Sequence, residues 1–114
     1  MPDCLFCDIA AGKIPAARVL ATDRVLAFRD IDPQAPVHVL VIPRDHYPDV
    51  ASLAAADAAL MHEVITQAHQ VAVAEGISRD GYRLVFNTGR DGGQEVPHVH
   101  AHVLGGRPLA WPPG

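Results

Sequence analysis

His98-Val99-His100-Ala101-His102-Val103-Leu104 alternates imidazoles with small or β-branched apolar side chains. On a helix these histidines would scatter around the surface. On a strand successive side chains point to opposite faces, so His98, His100 and His102 share one face and Val99, Ala101 and Val103 the other. The apolar face can enter a core, and the imidazoles then form a row with roughly 7 Å between neighbours by strand rise. Imidazole is the side chain that titrates nearest neutrality, so the row can supply a nucleophile, a proton donor or a metal ligand. The plain alternative is a surface strand whose polar positions happen to be histidine. A purification tag is not an alternative, because tags are consecutive and lack interleaved valines. Three of the chain's seven histidines fall within five residues, which favours a site.

Working outward, Thr88-Gly89-Arg90-Asp91-Gly92-Gly93-Gln94-Glu95 is a glycine-rich turn running directly into that strand. Glycines let backbone N–H groups approach an anion closely, although Asp-Gly is also an ordinary hairpin turn. Before it, Tyr82 to Phe86 reads as a strand with Tyr82, Leu84 and Phe86 on one face and Arg83, Val85 and Asn87 continuing the other. Ser52 to Glu75 reads as one long helix, striped by Leu53, Leu60, Val64, Ala68, Val71 and Ala72 and ended by Gly76. His62 and His69 on this helix are given no role. Arg44 to Val50 is a loop holding His46. Val37 to Ile42, closed by Pro43, is apolar on both faces except at His38, which predicts a central strand. Asp30 to Pro36 is a loop with two prolines. Arg18–Ala21 and Val25–Phe28 form a hairpin around Thr22-Asp23-Arg24, and Lys13 to Ala17 is a connector.

The first segment, Pro2 to Gly12, places Leu5, Phe6, Ile9 and Ala10 at helical spacing, with Asp3 as a candidate cap and Gly12 as a terminator. Cys4 and Cys7 lie one helical turn apart on the same side. Such a pair reads as metal-binding, as redox-active, or as two small buried side chains; the redox form lacks the βαβ unit that normally precedes it. The tail from Arg107 to Gly114 carries three prolines and the only tryptophan, Trp111, and predicts irregular chain lying over another surface.

The chain has 114 residues, 49% of them hydrophobic, which fits a single folded domain over residues 1–114. A net charge of −4 provides no electrostatic footprint for nucleic acid or an anionic membrane, but leaves room for one small anion such as a nucleotide. The N-terminus has no basic region followed by an apolar stretch, and no run spans a bilayer, so a cytoplasmic protein with reduced thiols is expected. Together the elements predict an α+β fold: an antiparallel sheet with one long helix packed on one face and a short N-terminal helix. Strand parity sends Val37, Val39, Val41, Leu84, Phe86, Val99, Ala101 and Val103 toward the long helix. It sends His38, Asn87, His98, His100 and His102 into a shared cleft.

The run Gln94-Glu95-Val96-Pro97-His98-Val99-His100-Ala101-His102-Val103-Leu104 resembles the signature of the histidine-triad (HIT) family. Phe28 to Pro36, His38 to Pro43, Asp91 to Gln94, and the ending Val103 to Arg107 with Trp111-Pro112-Pro113-Gly114 are similar to its Hint branch, the histidine-triad nucleotide-binding proteins. The resemblance covers nearly the whole chain. It implies a HIT-like fold, hydrolysis of purine nucleoside phosphoramidates and a homodimer. It implies that His100 attacks phosphorus to form a nucleotidyl-histidine intermediate, that His102 donates to the phosphoryl oxygens, and that His38 relays protons within the row, of which His98 is the first member. Asn87, Gln94 and the Gly92-Gly93 turn would hold phosphate, with Glu95 and Val96 beside them. Leu5, Phe6, Ile9, Phe28 and Ile31 would form the base slot, and Asp30 would bind the ribose hydroxyls. No metal is needed for that chemistry.

Two departures from the animal members stand out. Glu95 occupies the position of a serine that assists the leaving amine, which puts the leaving-group preference in question. The Cys4–Cys7 pair is the second; bacterial relatives carry it together with a histidine matching His46, and in some the first triad histidine completes a zinc site. The resemblance thus implies a structural zinc on Cys4, Cys7, His46 and His98. Dinucleoside polyphosphate hydrolysis, a nucleotide-binding regulator with incidental turnover, and a purely structural zinc protein are the competing readings.

Overall fold

The computed structural model describes residues 4–114. Its order is α1 (Leu5–Ala10), β1 (Arg18–Ala21), β2 (Val25–Arg29), β3 (Val37–Pro43), α2 (Val50–Ala56), α3 (Ala58–Ala74), β4 (Tyr82–Val85) and β5 (Ala101–Gly105). The strands form one antiparallel sheet in the order β1-β2-β3-β5-β4. β3, the apolar run interrupted only by His38, is central as its composition requires. It pairs with β5 so that Leu40 faces His102 and His38 faces Leu104. Opposed residues in an antiparallel pair project to the same side, so His38 and His102 are diagonal neighbours on one face.

The two sheet faces are covered by different elements. Val39, Val41, Ala101 and Val103 pack against Leu53 of α2 and Leu60, Val64, Ala68 and Val71 of α3, all withdrawn from solvent. Val37, Leu84 and Phe86 join the margin of this core, as the alternation predicts. On the opposite face Leu26, Phe28, Leu40 and Ile42 pack against Phe6 and Ile9 of α1. The helical stripe buries two whole leucine side chains, and truncating either to alanine removes about 2–5 kcal/mol.

Three local expectations are corrected. The helix expected over Ser52 to Glu75 is two helices, because Asp57 adopts φ −151° and interrupts it. Its carboxylate accepts from the Leu60 N–H at 3.0 Å and from the Arg24 guanidinium at 2.7 Å, so it caps α3 in place of continuing α2. The strand expected from His98 enters the ladder only at Ala101. Upstream, the Val99 N–H is donated to the Tyr47 carbonyl at 2.7 Å and no longer to a neighbouring strand. The alternation nonetheless persists, with Val99 in the helix-side core. β4 ends at Val85, one residue short of Phe86. The proposed Asp3 cap lies outside the described residues; the residue that caps α1 is Cys4, whose sulfur accepts from the Cys7 N–H. Among the described residues no helix is long and apolar enough to cross a membrane.

Candidate active site

The face of the sheet under α1 opens into a cavity of about 530 Å³, within the range of small-molecule sites. Leu5, Phe6 and Ile9 from α1, with Phe28 and Ile31, make its apolar wall as the residue types suggested. Ile31 is fully exposed at the mouth. Asp30, Asn87, Gly93, Glu95 and Val96 also line the cavity, and His38, His100 and His102 form its floor.

Hydrogen bonds decide which nitrogen of each imidazole is free, because a carbonyl accepts only and an amide N–H donates only. His100 Nδ1 lies 2.8 Å from the His98 carbonyl, so it carries the hydrogen and leaves Nε2 with its lone pair. The Gln34 N–H donates to His38 Nδ1 at 3.0 Å, so the hydrogen of neutral His38 is on Nε2. That hydrogen is donated to His102 Nδ1 at 2.8 Å. His102 therefore keeps its own hydrogen on Nε2. The floor thus offers one lone pair, at His100, beside one donor, at His102; the two rings are 4.9 Å apart between centroids.

All three rings are held neutral. Burial pushes His100 below its ordinary value, against its bond to the His98 carbonyl and the charges of Asp30 and Glu95. Burial does the same at His38, opposed by Asp30 and Asp32. His102 is pushed down to about 4, by burial first and then by the neighbouring His100 and His38. Neutral imidazole is the form that attacks an electrophile or donates a hydrogen bond without carrying charge.

His98 does not join this floor. It is fully buried on the far side of Phe6, whose ring meets both His98 and His100 edge-on at centroid distances of 6.0 and 5.0 Å. Its Nε2–H is donated to the Pro43 carbonyl at 2.9 Å, so its lone pair is on Nδ1. That nitrogen lies 3.4 Å from Cys4 Sγ, 3.5 Å from Cys7 Sγ and 3.2 Å from His46 Nδ1. The four ligand atoms all lie within 4.8 Å of one another, so the cluster can hold a metal ion. Burial, then the adjacent Cys4 thiol, pushes the Cys7 thiol up to about 11; a cation between the sulfurs would displace that proton. Asp30, His38 and His102 also gather potential ligand atoms within 4.8 Å. There the Gln34 amide already occupies His38 Nδ1, so binding a metal at Nε2 would require stripping the ring of its last proton. The hydrogen bonding favours a metal at the first cluster and opposes one at the second.

Gln94 is placed differently from the expectation. Its side chain accepts from the Gly89 N–H at 3.0 Å and donates to the Pro48 and Val96 carbonyls at 2.6 and 3.0 Å, so it pins the glycine-rich turn and does not line the cavity. Gly92 is also off the cavity; a Cβ there would run into the Thr88 carbonyl, while Gly93 adopts φ +78°. Asn87 ties the turn down by donating to the Gly92 carbonyl at 2.7 Å. Sequence reading missed Ile14, Pro15 and Ala16, which wall the cavity from the segment taken as a connector, and also Asp32, Gln34 and Leu40. The alternation that put Leu40 on the His38 face was the available signal for that residue. Gln34 acts on His38 through its backbone N–H, which no residue type announces.

Comparison with known proteins supplies four findings. The HIT domain family matches residues 11–109. The chain is 50% identical over 105 residues to the purine nucleoside phosphoramidase of Escherichia coli K12, covering 92% of this chain and 88% of that one. A HIT family hydrolase from Legionella pneumophila superposes with a TM-score of 0.95 at 51% identity, covering 98% of this chain and all of the other. A histidine triad protein from Clostridium difficile superposes with a TM-score of 0.91 at 40% identity, covering 96% of each chain.

Proposed function

This chain belongs to the HIT domain family, and on that premise we propose that it is a hydrolase of purine nucleoside phosphoramidates working through a nucleotidyl-histidine intermediate. The observation that carries the reading is the lone pair of His100 Nε2 beside the Nε2–H of His102, at the floor of a cavity with an apolar wall. The base lies against Phe6, Phe28 and Ile9, Asp30 binds the ribose, and the turn around Gly93 takes the phosphate.

His100 Nε2 forms a bond to phosphorus as the P–N bond breaks. The departing nitrogen takes one proton from solvent and leaves as the amine. Water then attacks phosphorus, the bond to Nε2 breaks, and the nucleoside monophosphate departs with one proton returned to solvent. His102 donates to a phosphoryl oxygen in both steps. His38 fixes the direction in which His102 donates, and the Gln34 amide fixes His38. His98 acts on the reaction through the carbonyl that orients His100.

The runner-up, dinucleoside polyphosphate hydrolysis, is disfavoured by charge. Asp30, Asp32 and Glu95 line the cavity, and among the described residues the one cationic side chain there, Arg29, has its guanidinium held by both oxygens of Glu75. A polyanionic chain meets three carboxylates with no free cation among the described residues to offset them. Turnover of adenosine phosphoramidate well above that of diadenosine polyphosphate is expected; the reverse order would sink the assignment.

The metal we propose is zinc, on Cys4, Cys7, His46 and His98. A tetrahedral zinc has N···N edges of about 3.3 Å and S···N edges of about 3.5 Å, close to the separations of these atoms. Held by four protein ligands it would have no open position, and what it would supply is a tie between the start of α1, the loop after β3 and the triad segment. We also propose a homodimer. Trp111 is 81% exposed, and Ile65 and Val73 of α3 stand half-exposed on either side of His69, which meets Tyr82 on the edge strand β4. A cytoplasmic location accords with a cysteine pair that must stay reduced to bind metal. Sedimentation of a monomer at micromolar concentration would remove the dimer.

A further inference from the structure

Among the described residues two carboxylates of the cavity, Asp32 and Glu95, carry no side-chain hydrogen bond or ion pair, and of these two it is Glu95 that lies on the segment leading into the histidine strand and whose charge acts on His100. Asp30 accepts from the Asp32 N–H at 2.8 Å through one oxygen and faces His38 Nε2 at 3.4 Å through the other. Both Asp30 oxygens thus have internal partners. Glu95 is exposed, lines the cavity, and has neither a hydrogen bond nor an ion pair from its side chain among the described residues. It lies close enough to the reacting floor for its charge to act on His100. An unpaired carboxylate beside an incoming phosphate is repulsive unless the substrate brings a positive charge of its own.

We propose that Glu95 is a specificity-determining residue that selects phosphoramidates whose leaving amine carries a second, cationic group, such as the amidate of a diamine or of a lysine-like side-chain amine. The proposal rests on the phosphoramidase reading and refines its substrate class. The leaving nitrogen departs opposite His100 Nε2, so the pendant ammonium must sit on a flexible chain that folds back to the cavity rim. That favours an alkyl chain over a short or rigid one. The ammonium pairs with the Glu95 carboxylate and makes or breaks no bond. The P–N bond breaks and the departing nitrogen takes its proton from solvent as before. Apolar amines gain nothing from Glu95, and anionic ones are repelled.

The test compares two adenosine phosphoramidates, of diaminobutane and of pentylamine, which differ by an ammonium in place of a methyl group. Wild type should favour the diamine substrate in kcat/KM by about two- to fivefold more than Glu95→Gln does, the range of a solvent-accessible ion pair. The wild-type preference should shrink as salt rises, and that of Glu95→Gln should be flat. Glu95→Lys should invert the preference. Equal ratios in wild type and Glu95→Gln, or ratios insensitive to salt, would overturn the proposal. If wild type hydrolyses neither compound, the phosphoramidase reading fails. Calorimetric Kd values for the same pair then judge Glu95 separately, with the same ratio expected on affinity.

Discussion

His98 and His100 are two residues apart, both buried, both in edge contact with Phe6, and they belong to different chemistries. His98 donates from Nε2 to the Pro43 carbonyl and presents Nδ1 to two thiols and an imidazole in a closed cluster. His100 donates from Nδ1 to the His98 carbonyl and presents Nε2 to an open cavity. Identical side chains are distinguished by which nitrogen meets a backbone carbonyl. The carbonyl fixes the tautomer and so leaves one lone pair facing the thiols and the other facing the cavity, the difference on which the proposed metal and nucleophile roles rest. α1 separates the two regions, with its cysteines on one side of Phe6 and its apolar face on the other.

The largest expected break in this comparison is at His100. His100→Ala should lower turnover of an adenosine phosphoramidate on the order of a thousandfold or more, about 4 kcal/mol of transition-state stabilisation, while the protein still folds and binds AMP. Near-normal single-turnover rates in that variant would mean that the nucleophile lies elsewhere. His98→Ala should behave in the opposite way, losing bound metal and stability first.

Removing the cation sharpens the same contrast. Chelation, or Cys4→Ser, should reduce thermal stability by about 2–4 kcal/mol, within the range lost when a structural metal goes. Slow activity should remain, because no open coordination position serves the reaction. Elemental analysis of untagged protein is the direct check. Fewer than about 0.2 zinc per chain in normally folded, never-chelated protein would leave the cluster a set of thiol–imidazole contacts, since tight structural sites are nearly full.

At Asp30 the expected loss is smaller and confined to the open region. Asp30→Ala should weaken AMP and GMP binding alike by roughly 1–3 kcal/mol, the loss expected for charge-assisted hydrogen bonds to the ribose. Titration calorimetry with both nucleotides reads it. Unchanged affinity would return Asp30 to its turn, where its carboxylate already accepts from the Asp32 N–H.

Much of this was legible in side-chain alternation. Parity separated Val39, Val41, Val99, Ala101 and Val103 from His38, His100 and His102, and each set reached its own face. The Cys-x-x-Cys spacing brought Cys4 and Cys7 within reach of His46 and His98. Parity failed at His98 because the ladder ends at Ala101, and beyond it the chain follows the Tyr47 and Pro43 carbonyls. Asp57 broke the long helix because a capping carboxylate competes with the helix for its own backbone, and the apolar stripe runs on across the break undisturbed. The family resemblance implies a phosphate role for Gln94, yet its three side-chain hydrogen bonds all turn inward. The tautomers could not be read at all, since they rest on main-chain groups that every residue carries.

The smallest effect concerns pH, and it separates the regions through His102, which belongs only to the open one. Its folded value is pushed from 6.5 down to about 4 by burial and by its histidine neighbours. Between those values the unfolded chain binds more protons than the folded one, so stability increases with pH across the window. The contribution is fully present above pH 6.5 and is lost as pH falls toward 4. His38, also held low by burial, adds in the same direction. Discounted for the partial exposure of His102, the loss by pH 4.5 is on the order of 1 kcal/mol, or about 5 °C in Tm. Acid also releases metal from the thiolates, so the comparison needs His102→Gln, which leaves the Cys4 cluster intact. Wild type should lose more Tm than His102→Gln between pH 6.5 and 4.5, in chelated and metal-replete protein alike. Parallel Tm profiles would mean that His102 is as readily protonated in the fold as in the unfolded chain, and the donor direction assigned to it from His38 would have to be abandoned.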